Sequence, residues 1–352
     1  MPRPQVQTPP RLDLTGNSAD LSSFDFSLWQ RYIKSALRQR QRLLTYSEPQ
    51  GEYDLRCALA DYVRERRNVV TAPEHIVVGA GVQMLLEILC VLLKGRRTVS
   101  FPDGSFVQGS TVFAAHGYAV RTRYKDADII YVSPSHMNRQ GDVMPIQRRL
   151  ELCAHSADTG AVVIEDDFEN DFLYSSTPTP SLVRPGQRQC GVYGAFSALL
   201  LPGIRISFMV LSPALAAAYH QMKDTFAQTA SKTEQIALCA YLRDGNMKTR
   251  TKKIRRLYTG KTKTLCALLA KALPDHPVRV GENGLQVQIE TPMLPDSAPF
   301  EQAGLALYIV KEKSGKNIVV VSPSAVPADR LEEAAHAVAA ALYKAEEAAK
   351  AK

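Results

Sequence analysis

The sequence lacks any apolar run near the ~20 residues that a membrane-spanning helix needs, and its N-terminus has no signal-peptide pattern. Its six cysteines lie far apart, mostly within apolar segments, and no CxxC pair occurs. This distribution is typical of reduced thiols in a cytoplasmic protein and argues against a zinc site. The seven histidines are equally dispersed. These absences predict a cytoplasmic protein with no membrane segment and no metal.

The composition is that of a folded chain with a basic balance. Its 352 residues are 45% apolar and 22% charged, enough for one large α/β domain with a smaller companion. The formal net charge is +8, and the densest basic cluster occupies residues 248–263. That cluster is either a patch for a phosphate backbone or the solvated face of a helix whose Leu257 and Tyr258 face inward.

Two short strands carry the polar residues that suggest a site. The apolar run 162–164 ends in acidic residues that include Asp166, and the run 192–196 stops at Ser197, before a Pro-Gly turn and Arg205. Apolar strands of this kind are typical of a parallel sheet covered on both faces. Ligands bind at the carboxyl ends of such strands. A carboxylate, a hydroxyl and an arginine there suit a ligand with a cationic ring nitrogen and a phosphate.

A second candidate lies earlier in the chain. Residues 75–78 predict a strand, and Gly79-Ala80-Gly81 separates it from an apolar helix over 82–93. This order offers free backbone N–H groups and the positive end of a helix dipole to a phosphate. Gly81, Val82 and Gln83 would supply the phosphate cradle. An ordinary tight turn between strand and helix is the alternative.

These segments resemble a known family. The stretches IEDDFENDFLYSSTPTPSL and YGAFSALLLPGIRISF look like the core of the fold-type-I, pyridoxal-phosphate-dependent aminotransferases. More narrowly, they are similar to the aminotransferase-like domain of MocR/GabR-type transcription regulators, whose pattern is roughly IEDDYDSEFRY, then GTFSK, then LRIGY. The resemblance implies an α/β fold with a mostly parallel central sheet in a large domain, plus a small α+β domain. It also favours the solvated-face interpretation of residues 248–263, because the related proteins carry a basic helix there. No direct nucleic-acid binding by this chain is therefore expected.

The resemblance also implies a domain organisation. Residues 1–12 are Pro-rich and read as a linker or tail, 13–45 join the small domain, 46–245 form the large domain, and 246–352 form the small C-terminal domain. In the regulators, a winged-helix DNA-binding domain precedes such a linker. No such pattern occurs in this sequence, which predicts either a shortened chain or a free-standing relative.

The family's cofactor-binding residues have counterparts here. The resemblance implies that Asp166 pairs with the pyridine nitrogen and that Arg205 binds the phosphate. It also implies that Phe106 stacks on the ring and that Tyr46 reaches the phosphate of a neighbouring subunit in a homodimer. Ser197 is retained as well, and so is the cradle of Gly81, Val82 and Gln83. Plain structural roles remain as alternatives: a cap for Asp166, a surface ion pair for Arg205, and packing for Phe106 and Tyr46.

Four departures weigh against transamination. Ala198 stands where the family has the Schiff-base lysine, and a methyl group can neither form that bond nor carry a proton. Phe168 replaces a tyrosine that contacts the cofactor's phenolic oxygen, and Ala195 replaces a threonine that helps to hold the phosphate. The strand at 317–321 lacks the arginine that grips the substrate carboxylate.

Two functions remain open at this stage. The first is a pseudoenzyme: an aminotransferase-like effector or dimerisation domain that binds pyridoxal phosphate non-covalently, or another amino-acid-like ligand. The second is a pyridoxal-phosphate-dependent aminotransferase whose lysine was substituted, or one that uses the cofactor without a bond to the protein. Retained phosphate anchors favour binding, and the four losses weigh against turnover.

Overall fold

The computed structural model describes residues 10–16, 18–19, 23–166, 181–182, 190–195, 200–311 and 315–350. The chain forms two compact units. The larger contains residues 24–138 and 142–255. The smaller contains the described residues up to 23, residues 139–141, and those from 256 onward.

A seven-stranded sheet forms the centre of the large unit. Its strands are β2 (Ile76–Gly79), β3 (Thr98–Phe101), β4 (Ala119–Thr122), β5 (Ile129–Val132), β6 (Val162–Asp166), β7 (Cys190–Ala195) and β8 (Ser207–Val210). Their order is β2-β8-β7-β6-β5-β3-β4. Only β8 runs antiparallel to its neighbours, β2 and β7. The remaining neighbours are parallel, so their carboxyl ends meet at one edge.

The helices of the large unit begin and end where the sequence supplies caps. They are α1 (Phe26–Leu37), α2 (Arg40–Leu43), α3 (Tyr53–Arg67), α4 (Val82–Leu92), α5 (Val107–Ala115), α6 (Ile146–Thr159), α7 (Pro213–Met222), α8 (Lys232–Arg243) and the start of α9 (Asn246–Ala272). The carboxylate of Asp25 caps α1 by accepting from the N–H of Leu28 at 2.8 Å. Asn68 ends α3 and Gly160 ends α6, both in the left-handed conformation.

Both faces of the sheet are covered, because strand side chains alternate with a period of two. One face packs on α4, α5 and α7 and includes Ile129, Tyr131, Val162 and Ile164. The opposite face packs on α6 and Leu182 and includes Ile130, Val132 and Val163. This two-sided burial explains why the strands are continuously apolar.

The small unit is built on an antiparallel sheet. Its strands β9 (Val278–Val280), β10 (Val287–Thr291), β12 (Tyr308–Lys311) and β13 (Asn317–Val321) lie in the order β12-β13-β10-β9. A separate parallel pair joins β1 (Leu12–Asp13) to β11 (Leu305–Ala306). The later part of α9, α10 (Ala298–Gln302) and α11 (Leu331–Lys350) cover the shared apolar core.

The observed architecture confirms the predicted α/β class, with a mostly parallel sheet in the large unit and a small α+β unit. The observed limits of the units differ from the sequence-based domain boundaries. Leu12, assigned to the tail, forms β1 and is buried in the small unit. Residues 24–45 group with the large unit because Trp29 and Tyr32 of α1 pack on Tyr241 of α8. The later division falls within α9, between Arg255 and Arg256.

Membrane-spanning helices and metal-binding clusters are both absent from the described part of the chain. None of its helices combines the length and apolarity needed to cross a membrane. Within the same residues, no group of three or more His, Cys, Asp and Glu side chains is placed to hold a metal ion.

Candidate functional site

The candidate site lies at the edge of the large sheet where the parallel strands end. β2 ends at Gly79 and β6 ends at Asp166. Because β8 is antiparallel, its first residue, Ser207, lies at this same edge, opposite Gly79 and opposite Ala195 of β7. Gly79 and Asp166 lie on strands three spacings apart, about 14 Å across the sheet. Side chains that project from this edge can therefore surround one small molecule.

The two acids at the end of β6 point to opposite faces of the sheet, as the strand period requires. Glu165 faces away from the candidate site and is fully buried. One of its oxygens is 3.1 Å from Nη2 of Arg67, and the other accepts from Oγ of Ser181 and the N–H of Leu182 at 2.5 and 2.7 Å. Glu165 thus forms a structural ion pair with Arg67 and anchors the chain at residues 181–182.

Asp166 faces the other way, into the core beside Tyr131. The hydroxyl of Tyr131 donates to Oδ2 of Asp166, and their exposures are 2% and 5%. Burial and the neighbouring carboxylate raise the pKa of Tyr131 well above its ordinary value. Tyr131 therefore remains a protonated donor at any ordinary pH.

Phe106 is the next side chain in this row. Its ring stacks on that of Tyr131, with centroids 5.4 Å apart and planes at 29°. Phe106 precedes the first turn of α5 and is half-buried. A Cβ at Gly109 would overlap the Phe106 ring, so only glycine at position 109 leaves that ring its place. The series from Phe106 through Tyr131 to Asp166 combines an aromatic face with a buried carboxylate.

The amino end of α4 forms the other part of the site. Gly81 precedes the helix at φ 104°, a conformation that favours glycine. A Cβ at Gly81 would overlap the guanidinium of Arg205, so that guanidinium lies directly against the helix end. Val82 and Gln83 are the first two residues of α4. A helix end and a guanidinium together form an electropositive position suited to a phosphate.

The loop before α4 is held by two adjacent residues from a distant segment of the chain. The N–H of Ala80 donates to Oγ1 of Thr229 at 2.9 Å. Gln228 donates from Nε2 to the carbonyls of Val78 and Pro49, both at 3.1 Å. These bonds fix the backbone on which the glycine turn depends.

Arg205 has an unusual backbone. It follows a 3₁₀ turn at Pro202–Ile204 and adopts φ 51°, although it is not glycine. The left-handed conformation costs an ordinary L-residue about 1–2 kcal/mol. The side chain is exposed apart from its approach to Gly81. The strained backbone conformation therefore occurs at the residue whose guanidinium lies against the amino end of α4.

Tyr46 lies on a clamped loop. Residues 48–51 form a turn, with the N–H of Gly51 donating to the carbonyl of Glu48 at 2.9 Å. Lys232 donates from Nζ to the carbonyls of Thr45 and Tyr46 at 2.9 and 3.1 Å. The Tyr46 side chain is fully exposed. Within this single chain it projects into solvent.

Comparison with known proteins identifies the family. The sequence profile of aminotransferase class I and II matches residues 15–327. The chain belongs to this family. It is 28% identical over 328 residues to the HTH-type transcriptional regulator YdeL of Bacillus subtilis, covering 89% of this chain and 69% of YdeL. It is 27% identical over 297 residues to the probable rhizopine catabolism regulatory protein MocR of Rhizobium meliloti, covering 80% of this chain and 60% of MocR.

The chain thus spans 60–69% of the length of these two regulators, and it covers their aminotransferase-like part. The resemblance to the MocR type is confirmed at this level. Its fold is shared with enzymes: the crystal structure of an archaeal alanine:glyoxylate aminotransferase superposes with a TM-score of 0.83 at 19% identity. That superposition covers 95% of this chain and 91% of the enzyme.

The structure of this aminotransferase-family chain brings some of the predicted site residues together. Arg205 contacts Gly81, and Phe106 and Asp166 are connected through Tyr131. Phe168, Ser197 and Ala198 lie outside the described residues. Ala195 ends β7 at the site edge.

Sequence reasoning missed four residues that shape the site or its supports: Tyr131, Arg67, Thr229 and Lys232. Tyr131 is recognised only from the register between β5 and β6. It pairs in register with Ile164, two residues before Asp166, so the strand period places Tyr131 and Asp166 on one face. The other three contacts join segments far apart in sequence, which local patterns do not connect.

Proposed function

We propose that this chain is the effector domain of a MocR-type regulator, which binds pyridoxal phosphate or a closely similar phosphorylated pyridine non-covalently and does not transaminate. The contact between Arg205 and the glycine turn of α4 carries the proposal. It forms a phosphate position at the edge where β6 presents Asp166. Strained backbone conformations cluster at ligand-binding positions, and this one belongs to the residue whose guanidinium lies at the end of α4.

The described residues fit such a ligand in chemical type. Gly81, Val82, Gln83 and Arg205 would hold its phosphate, and Asp166 would accept a hydrogen bond from a protonated ring nitrogen. Phe106 supplies an aromatic face worth about 0.5–1.5 kcal/mol beyond burial. Pyridoxal phosphate acts as an electron sink when bound. Ala198 and Phe168 carry no amine and no hydroxyl, so neither can form a bond to the ligand or carry a proton.

The partners we propose are a second copy of the chain and an amino-acid-like small molecule. A dimer is supported by the fully exposed Tyr46, whose counterpart in the family reaches a neighbouring subunit. Nucleic acid is not assigned to this chain, since Lys248, Lys252 and Lys253 of α9 are exposed while Tyr258 is buried, as on a solvated helix face. The cytoplasm is the compartment we propose, because Cys57, Cys90, Cys153, Cys239 and Cys266 are free thiols.

The test is a pyridoxal phosphate titration of the parent chain and of Ala198→Lys. We expect the parent to bind the cofactor without a bond that borohydride can trap. We expect Ala198→Lys to show an absorbance band near the visible edge. After borohydride reduction, residue 198 of this variant should carry a stable mass increase. Transamination of amino acids by the parent chain would contradict the pseudoenzyme part. Loss of binding in both variants would contradict the ligand part.

A further inference from the structure

Tyr131 occupies a position that the resemblance did not assign. It lies in β5, and its hydroxyl donates to Asp166 at the end of the neighbouring β6. Its ring packs against two phenylalanines, with Phe101 at 5.0 Å and Phe106 at 5.4 Å between centroids. The side chain is therefore held by two ring contacts and by the bond of its hydroxyl.

Packing alone does not explain a tyrosine here. A phenylalanine would make the same ring contacts with Phe101 and Phe106. A buried hydroxyl costs free energy unless it is hydrogen-bonded, and the bond that the structure gives this hydroxyl is the one to Asp166. The bond also restricts rotation of the carboxylate.

We propose that Tyr131 is a positioning residue that fixes Asp166 as an oriented carboxylate and thereby makes the site select a ring that carries a protonated nitrogen. This inference rests on the proposed function. The ligand class it names is a phosphorylated pyridine, as opposed to a phosphorylated benzene ring of the same shape. Phosphate recognition by Arg205 and the α4 turn is the same for both classes, so discrimination between them reports on Asp166 and its support.

The experiment compares two ligands that differ at one ring atom: pyridoxal phosphate and its 1-deaza analogue, in which C–H replaces the ring nitrogen. Dissociation constants are measured for the full parent chain and for Tyr131→Phe. We expect the parent to prefer pyridoxal phosphate by roughly tenfold or more, the size of a hydrogen bond to a charged group. We expect Tyr131→Phe to reduce this preference roughly five- to tenfold, with affinity for the deaza analogue changed less than about twofold.

Tyr118→Phe is the matched control. Tyr118 is buried in the same core, and its hydroxyl donates to the carbonyl of Cys90 at 2.9 Å, away from Asp166. This variant loses a buried hydroxyl of similar kind, and we expect it to keep the parental preference. A general loosening of the fold would weaken both ligands equally and leave the ratio of affinities unchanged.

The outcomes separate the two proposals. If the parent discriminates between the ligands and Tyr131→Phe discriminates equally well, the role of Tyr131 is refuted while the proposed function stands. The inference is also refuted if Tyr118→Phe lowers the ratio as much. If the parent binds neither ligand, the proposed function and this inference fall together.

Discussion

Arg205 combines two properties that separate variants can distinguish: a backbone in the left-handed region and a guanidinium at the end of α4. Glycine adopts that backbone without the cost of a Cβ, but it also gives the unfolded chain more freedom. These effects are of similar size and opposite sign. A change to glycine should therefore act on ligand binding far more than on folding.

We expect Arg205→Gly to weaken pyridoxal phosphate binding roughly 10- to 100-fold, since a hydrogen-bonded charge is lost from the phosphate position. The free energy of unfolding should change by less than about 1 kcal/mol. Isothermal titration and urea unfolding measure the two quantities. Arg123→Gly is the control, because Arg123 also has φ 51° and is exposed, but it donates to the carbonyl of Pro102. Equal loss of binding in the two variants would contradict the assignment.

At the scale of elements, the ion pair between Arg67 and Glu165 joins the last turn of α3 to β6. Both side chains are buried, with exposures of 5% and 0%. Removing one partner of a buried pair leaves an uncompensated charge in the interior. Glu165 directly precedes Asp166 in sequence and also holds residues 181–182.

We expect Arg67→Met to lower the free energy of unfolding by about 3–5 kcal/mol. Adding Glu165→Gln should recover part of that loss, because no unpaired charge then remains. Arg64→Met is the matched control on the same helix, where Arg64 pairs with Asp61 at 62% and 65% exposure. It should cost less than about 1 kcal/mol. Urea unfolding of the four chains checks the prediction, which a similar cost for Arg64→Met and Arg67→Met would contradict.

The sequence predicted short strands better than the partners of those strands. Residues 98–101, 278–280 and 317–321 form strands, since short runs rich in β-branched residues are local signals. The mostly apolar run 305–310 is divided between β11, which pairs with β1, and β12, which pairs with β13. The helical pattern of residues 213–226 does not show where α7 ends, since the helix stops at Met222 and a 3₁₀ turn follows. Pairing between distant segments has no local signature, and the same limit concealed the support of Asp166 by Tyr131.

At the scale of the whole molecule, the proposed homodimer raises the question of which subunit's site Tyr46 contacts. Its ring is fully exposed in the single chain, and Lys232 holds its backbone through the carbonyls of Thr45 and Tyr46. A rigid loop with an exposed aromatic side chain suits contact across a two-fold interface. If Tyr46 completes the phosphate position of a second copy, two variants that each lack one of the required residues can together form an intact site.

We expect Tyr46→Ala and Arg205→Gly each to bind pyridoxal phosphate weakly as homodimers. Mixed and re-associated in equal amounts, they form heterodimers in which one site has both Tyr46 and Arg205 and the other has neither. Random pairing of a two-fold dimer then restores parental affinity at about one site in four. Equilibrium dialysis counts these sites, and sedimentation measures the dimer. If each Tyr46 served its own chain, every site in the mixture would still lack one of the two residues. Mixing would then restore no binding, and the partner-subunit role of Tyr46 would be refuted.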